Sequence, residues 1–444
     1  MARVLVFSPD AVPLPGVLAA GPGIRYFEIS KSLVAEGHEV CLAVPAEVYQ
    51  AADIPGMTLA PWVADRLGDL LRDTDVVVLP HVHGALSLNY AKQAPPELPT
   101  VVDLYDPVLI ENLGLQEESA AGLACFLGYL GDVLPLLRRG DLFLYANERQ
   151  RYYYLGVLNA IGRINPLTYR SGLLRKLPFG VSGERPPKKG GVMRGTLFDK
   201  NDKIILWFSG IYPWFDAATL VRAMPLVLKR VPNAKLAIMG GVHPRSHAPD
   251  SEFVLTRDLA LESGLVGRSI HFLDWRPYAE RGKWYADADI AVATHKETLE
   301  MELSHRTRVV DFLWAGLPVI VSEGDEVGAM VRDKECGMSV PIGDPAALAA
   351  AIIKALTDDK LLAGMAANAA RLARTELSWK LLTRELSEYC RDPRLAPDRA
   401  FPLPKLATPI SLLGKVRSVY VNEGTRAVFK KAAGFAGRKI REKQ

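Results

Sequence analysis

The stretch "SHRTRVVDFLWAGLPVIVSEGD", Ser304–Asp325, decides how the chain is read. Two arginines and a carboxylate head an apolar helical run, which Gly316 closes and Pro318 keeps from continuing. The strand "LPVIVS" (Leu317–Ser322) follows, and "ADIAVAT" (Ala288–Thr294) precedes. Strand, loop, helix and strand in this order signal a parallel α/β sheet, whose ligands sit beyond the carboxyl ends of the strands. The first turn of a helix has free N–H groups and a partial positive charge, which suits a phosphate. Arg306 and Arg308, either side of Thr307, add forked permanent cations that match phosphate oxygens. Asp311, one turn further in, is placed to accept from a ribose diol. The plainer alternative is a solvated basic turn with Asp311 paired to Arg308.

The same alternation extends along the chain. A first strand series comprises Arg3–Ser8, Glu39–Val44, Asp75–Pro80, Thr100–Tyr105 and Asp141–Ala146. A second comprises Lys203–Gly210, Ala234–Gly241, Ser269–Asp274, Ala288–Thr294 and Leu317–Ser322. Helical patterns cover Tyr26–Glu36, Ala217–Val231, Glu252–Ser263, Arg306–Ala315, Pro345–Leu356 and Lys360–Leu372. Between the series, Gly180–Asp202 is rich in Gly, Pro and Lys and reads as a linker. The expectation is an α/β chain of two facing, Rossmann-like, doubly wound domains with a C-terminal helical segment. Its divisions are 1–180, a linker at 181–202, a second domain at 203–382, and a crossover helix with a basic tail at 383–444. A cleft between two such domains favours a pocket.

The chain has 444 residues, too many for one compact core. Its charged fraction of 23% is that of an ordinary globular protein. The net charge of +4 is unevenly placed: Lys405–Gln444 carries +8 and the remainder −4. The four cysteines, Cys41, Cys125, Cys336 and Cys390, have no metal-ligand spacing. No secretory leader and no membrane-spanning run of about 18 apolar residues is expected. The basic tail, with interspersed Leu, Val, Tyr and Phe, fits either an amphipathic helix on an anionic membrane or a packed surface helix. Nucleic acid is not an expected partner, because no binding module accompanies the charge.

"VVDFLWAGLPVIVSEGD" (Val309–Asp325) resembles the donor-site signature of glycosyltransferases of the GT-B fold, in particular family 4, glycosyl transferases group 1. "GPGIRYFEISKSLVAEGHEV" (Gly21–Val40), "LPFGV" (Leu177–Val181) and "HFLDWRPYAERGKWYADADIAVAT" (His271–Thr294) resemble that family's glycine loop, domain junction and base-contacting segment. The resemblance runs to about Leu382. It implies a nucleotide-diphosphate sugar as donor substrate, a glycan or lipid-linked acceptor, retention of configuration, no tightly bound cofactor and no metal. It also implies a cytoplasmic enzyme of cell-envelope polysaccharide synthesis, at the inner face of the plasma membrane if the tail binds lipid. Two departures stand out. The family's Glu eight residues before the ribose acid is replaced by Leu303, and its basic "GR…KG" loop by "SGIYPWFDAATL" (Ser209–Leu220).

On this reading Asp311 and Thr307 bind the donor nucleotide, while Arg306 and Arg308 stabilise the departing diphosphate. Gly21, Gly23 and Gly210 bring backbone close to the ligand, and Arg25 contacts a phosphate or the acceptor. Trp275 is a stacking surface, as is Trp214 beside Asp216. His295, Glu297, Glu300 and Glu302 compete for sugar hydroxyls; Glu300 is favoured as catalytic and Glu302 as donor-binding. Asp103, Asp106 and Glu111 are candidates to orient or deprotonate the acceptor, with Asp103 favoured because it ends a strand. One of His81 and His83 is a candidate for the donor sugar; alternation along a strand sets them on opposite sides. Asp287 and Asp289 are expected to be structural. The rival readings are a sugar-nucleotide epimerase, a phosphorylase requiring pyridoxal phosphate, and a non-catalytic nucleotide- or glycan-binding protein.

Overall fold

The computed structural model describes residues 1–82, 84–182, 185–186, 191–242 and 249–401. Its first sheet contains β1 (Arg3–Phe7), β2 (Glu39–Pro45), β3 (Met57–Trp62), β4 (Val76–Pro80), β5 (Thr100–Asp103), β6 (Leu142–Tyr145) and β7 (Leu174–Lys176). Its second contains β8 (Lys203–Gly210), β9 (Ala234–Gly241), β10 (Ile270–Leu273), β11 (Ile290–Ala293), β12 (Val319–Ser322) and β13 (Gly337–Val340). The strand orders are 3-2-1-4-5-6-7 and 10-9-8-11-12-13, and every ladder within the two sheets is parallel. Both are therefore doubly wound. Their order reverses beside β1/β4 and β8/β11, the switch points at which such sheets leave a crevice.

Burial on both faces explains the strand composition. Val76–Pro80 is buried throughout, as a parallel strand between two helix layers must be. One apolar cluster around Leu206, Phe312 and Leu313 covers one face of the second sheet, and another around Trp207, Leu220 and Ile352 covers the other. Two more enclose the first sheet. The expected linker contributes to this packing: Met193 and Phe198 are buried in the second sheet's core, and Asp287 accepts the backbone N–H groups of Met193 and Arg194. The two sheets with their helices form one compact unit, Met1–Ala396. From Pro397 a second unit begins, of which Pro397–Ala400 is a short 3-10 turn. The basic tail, Lys405–Gln444, lies outside the described residues.

Contacts between the halves set the loop over the cleft. The helix Glu148–Ala160 of the first half starts against the second half. Asn147 Nδ2 donates to the carbonyls of Leu303 (2.9 Å) and Ser304 (3.1 Å), while Glu326 accepts the N–H groups of Glu148 (3.2 Å) and Arg149 (2.8 Å). An acid supplied by one half thus satisfies orphan donors of a helix in the other. After Trp379–Leu382 and Arg384–Arg391 the chain returns to the first half, where His38 Nε2 meets Ser387 Oγ at 3.0 Å.

One helix departs from the sequence expectation. Ala120–Arg139 is long and apolar enough to cross a membrane by length and composition, and only 22% of its most apolar window is buried. Asp132 and Pro135 interrupt the run, which hid its average. Leu123 and Leu127 lie on its exposed side.

Candidate functional site

The helix Thr307–Ala315 buries Val309, Val310, Phe312 and Leu313 against the second sheet. Gly316, at φ +67°, adopts the left-handed conformation that ends it, and the N–H groups of Gly316 and Leu317 return to Leu313 and Phe312. Its free first turn opens into a cavity of about 400 Å³ between the carboxyl ends of the two sheets. Thr307, Arg308 and Asp311 line it.

Arg308 carries the strongest electrostatic signal. Its guanidinium lies 3.6 Å from the Phe215 ring centroid, and one terminal nitrogen is buried with no hydrogen-bond partner. Burial, then the neighbouring Arg306, pulls its pKa down to about 9, so it remains a cation at neutral pH. An unsatisfied buried cation is costly until an anion reaches it. Asp311 is its complement. Its Oδ2 accepts from Arg281 Nε at 3.1 Å, while Oδ1 is buried without a partner. Burial raises its pKa and Arg281 counteracts this. Arg281 is fixed in turn by the Tyr278 carbonyl and hydroxyl, at 3.0 and 2.7 Å, with its guanidinium between the Tyr278 and Trp314 rings. Sequence reading missed Arg281. It lies 30 residues before Asp311, and only the fold joins them.

The two arginines expected to act as a pair are divided. Arg306 lines the cleft but is held by Asp325 (2.8 Å), the Met301 carbonyl (3.3 Å) and Glu300 (3.7 Å). Asp325 also caps the Glu326–Asp333 helix through Gly328 N at 2.6 Å. Arg306 is therefore a strut that positions Glu300, and Arg308 is left to face the cavity. Glu300 lines the cavity, with burial raising its pKa and Arg306 opposing that. Glu302 is exposed and does not line it. Residues two apart on a helix face nearly opposite sides, so both could not point inward.

In the first half, Arg25 and Asp103 are corrected. Both side chains are fully buried and paired: Arg25 Nε and a terminal nitrogen donate to the Asp103 carboxylate at 2.5 and 2.9 Å. Arg25 also donates to the carbonyls of Leu177 and Pro178. Neither residue lines the cavity. The acids that do are Asp106 and Glu111, which hydrogen-bond each other. Burial pushes Asp106 up to about 7 and Glu111 well above the usual carboxylate range, and Glu300 across the cleft adds to both.

Gly21 lines the cavity, and a Cβ there would lie 3.9 Å from Thr307 Oγ1 of the other half. Gly23 does not line it and is a packing glycine instead: a Cβ would sit 1.9 Å from the Ala11 carbonyl. Gly210, Trp214 and Trp275 all line it, and Trp275 Nε1 donates to Val242 at 2.8 Å. Asp216 turns away to cap a helix through Thr219 N. His295 lines the cavity with Nε2 unpartnered, and burial keeps it neutral. Glu297 is exposed. Asp287 holds backbone N–H groups and Asp289 pairs with Arg194 at 2.9 Å, so both are structural. His83 lies outside the described residues. Among those described, no cluster of three or more His, Cys, Asp or Glu is arranged to hold a metal.

The second half is the part of the chain that known proteins match in sequence. Residues 202–358 match the family Glycosyl transferases group 1. The group 1 segment thus contains Arg308, Asp311, Glu300 and Arg281. A D-inositol 3-phosphate glycosyltransferase of Corynebacterium efficiens is 33% identical over 192 residues, 42% of each chain. A phosphatidyl-myo-inositol mannosyltransferase of Mycolicibacterium smegmatis is 27% identical over 181 residues, 40% of this chain and 42% of the relative. The matched stretches therefore span about two fifths of the curated relatives. Solved structures extend the likeness to both sheets. Anabaena HepE in complex with UDP-glucose has a TM-score of 0.63 at 15% identity, covering 88% of this chain and 100% of that one. Sucrose-phosphate synthase from Thermosynechococcus elongatus has a TM-score of 0.62 at 15% identity, covering 88% and 98%. At that identity the likeness establishes the fold, which is GT-B.

Proposed function

We propose that the protein is a glycosyltransferase that moves a sugar from a nucleotide-diphosphate sugar to a hydroxyl of a glycan or lipid-linked acceptor. The observation that carries this is the pairing of an unsatisfied cation with an unsatisfied acid on one helical turn. Arg308 lacks a partner for a buried N–H, and Asp311 lacks one for a buried oxygen. A nucleoside diphosphate supplies both, with phosphate oxygens for the guanidinium and ribose hydroxyls for the carboxylate. The names of the group 1 relatives and the UDP-glucose in the structural neighbour support the same class.

In this reading residues 203–382 hold the donor and residues 1–180 the acceptor. Trp275 and the rings beside it bound the nucleobase. Thr307 and the first-turn N–H groups hold the diphosphate, and Glu300, fixed by Arg306, reads sugar hydroxyls. As the glycosidic bond breaks, negative charge grows on the diphosphate, and Arg308 is already in place to meet it without reorganisation. The acceptor's hydroxyl oxygen joins the anomeric carbon from the first-half side, with retention of configuration, and its proton passes to the departing diphosphate. No tightly bound cofactor takes part. The enzyme works at a cytoplasmic membrane surface, touched by the basic tail.

A thermal-shift screen with UDP, GDP, dTDP and ADP, then their sugars, tests the donor site. Turnover of the matching donor must depend on an added acceptor. An isomerised donor without acceptor would instead indicate an epimerase.

A further inference from the structure

The crossover from β5 to β6 runs through the helix Ala120–Arg139, whose most apolar window is only 22% buried. A core helix of that composition would be mostly covered, and a surface helix of a globular protein is apolar along one stripe about 100° wide. The first three turns, Ala120–Gly131, contain no charged residue. Ala121, Leu123, Ala124, Cys125, Leu127 and Gly128 are exposed there. At about 100° per residue they span an arc of roughly 200°, about twice that stripe. Phe126, Tyr129, Leu130 and Val133 pack inward with Val108 and Leu109. The helix's one acid, Asp132, accepts Gly84 N at 3.0 Å, and its cations, Arg138 and Arg139, occupy the last turn. Arg163 donates to the Arg138 carbonyl and so ties a loop to that end. The loop exposes Leu167 and Tyr169, and the Arg170 guanidinium lies 4.9 Å from the Tyr169 ring centroid. Tyr rings and long-stemmed arginines favour a boundary between an apolar medium and charged headgroups.

We infer that this helix docks on a lipid bilayer, with its first three turns sunk among the acyl chains and its arginine end at the phosphate headgroups. It does not span the bilayer. Both of its ends rejoin neighbouring strands of one sheet, so it lies in the interface as a crossover laid flat. A protein partner or a second copy would cover a stripe and meet polar residues at its rim, whereas this arc offers none over about 200°. Glu117 and Glu118, exposed just before the helix, offset the arginines at its far end, so apolar area rather than net charge drives the docking. The contact differs in kind from any made by the basic tail, which needs anionic lipid and is weakened by salt. It also has a consequence for the site. The Val108–Glu111 helix packs beneath this one and carries Glu111 on the cavity wall. The bilayer therefore lies beside the first-half wall of the cleft, where an acceptor anchored by a lipid tail reaches the cavity with its head. The word acceptor rests on the glycosyltransferase reading; the docking is tested without turnover.

Cys125 supplies the probe, because it is exposed in the middle of the arc while Cys336 and Cys390 are buried and Cys41 is half-buried. The full chain is labelled there with an environment-sensitive maleimide dye, with Cys125→Ser as the labelling control. Phosphatidylcholine vesicles are added at about 1 M NaCl, where the screening length of about 3 Å silences the basic tail. Dye emission is expected to move to shorter wavelength, and a nitroxide on the lipid acyl chain should quench it more than one on the headgroup. Leu123→Glu combined with Leu127→Glu should weaken co-sedimentation of the unlabelled chain with these vesicles at least about tenfold. Far-UV circular dichroism reports whether that variant is folded; if it is not, the quenching profile of the native chain decides alone. Unchanged emission, stronger quenching from the headgroup, or unchanged binding by the folded double variant would overturn the inference. So would vesicle binding that requires phosphatidylglycerol and disappears in salt, which assigns it to the tail. A dye shift that grows with protein concentration without lipid, alongside a dimer mass in light scattering, would give the face to a second copy instead. If none of the four nucleoside diphosphates binds yet the vesicle results hold, the donor reading fails and this docking face stands. If a nucleotide binds but the vesicles leave the dye unchanged, the reverse applies.

Discussion

Arg25 and Asp103, 78 residues apart in the chain, meet in a bidentate pair with no solvent exposure on either side chain. The pair ties the Gly21–Ala35 helix to the end of β5, and through the Leu177 and Pro178 carbonyls to the chain leaving the first half. Both residues attract attention in sequence as ligand contacts, and the pairing gives them a structural role instead. Asp103→Ala would leave a buried guanidinium without its counter-charge, so it is expected to lower unfolding free energy in urea by about 3–5 kcal/mol. Nucleotide affinity of the remaining folded protein should change less than twofold. A full loss of turnover with unchanged stability would return Asp103 to the acceptor.

Arg308→Met should act in the opposite sense on stability. It removes a guanidinium with a buried, unpaired N–H, so the ligand-free protein is expected to gain about 1–2 kcal/mol. The nucleotide-induced thermal shift should vanish and kcat fall by about 100- to 1000-fold. Differential scanning calorimetry with and without nucleotide separates the two effects.

Asp311→Asn should keep part of the contact to Arg281 while losing its charge. Nucleotide affinity by calorimetric titration is expected to weaken at least about tenfold, consistent with loss of a charged hydrogen bond worth ~1.5–3 kcal/mol. Asp311→Ala should also destabilise the protein, because it leaves Arg281 buried without its counter-charge.

His81 predicts an acid-sensitive limb. Unfolded histidine takes up a proton near pH 6.5, and His81 in the folded protein only near 3. Between those values the unfolded state binds more protons, so stability falls as pH falls. By pH 3 this one residue contributes up to about 4 kcal/mol of the loss. Urea titrations from pH 7 to 3.5 should show a shallower decline for His81→Phe than for the native chain.

Glu326→Ala removes the acid that receives Glu148 N and Arg149 N across the cleft. Loss of such a cap costs about 0.5–2 kcal/mol. Small-angle scattering should show a larger radius of gyration in the ligand-free variant, and nucleotide should restore the native value.

The alternation of apolar strand runs with amphipathic helices made most of the sheet strands legible. Three strands were not. β3 carries a proline and a half-exposed pattern, β7 is only three residues long, and β13 is a half-buried four-residue run. All three lie at an edge of their sheet, where burial imposes no continuous apolar run. The helix Ala120–Arg139 escaped because Asp132 and Pro135 break its apolar run.

The sequence by itself determined the two sheet series and the turn that carries Arg308 and Asp311, because strand composition, Gly316 and Pro318 act over a few residues. Tertiary structure alone decided which charged groups are left unpaired at the cavity. Arg306 lies two residues from Arg308 yet is neutralised by Asp325 and Glu300, while Arg308 is left with an unpaired N–H. Asp103 lies three residues from Asp106 yet is sealed by Arg25. A buried charge takes its role from whatever partner the fold brings within about 4 Å, and those partners come from distant parts of the chain.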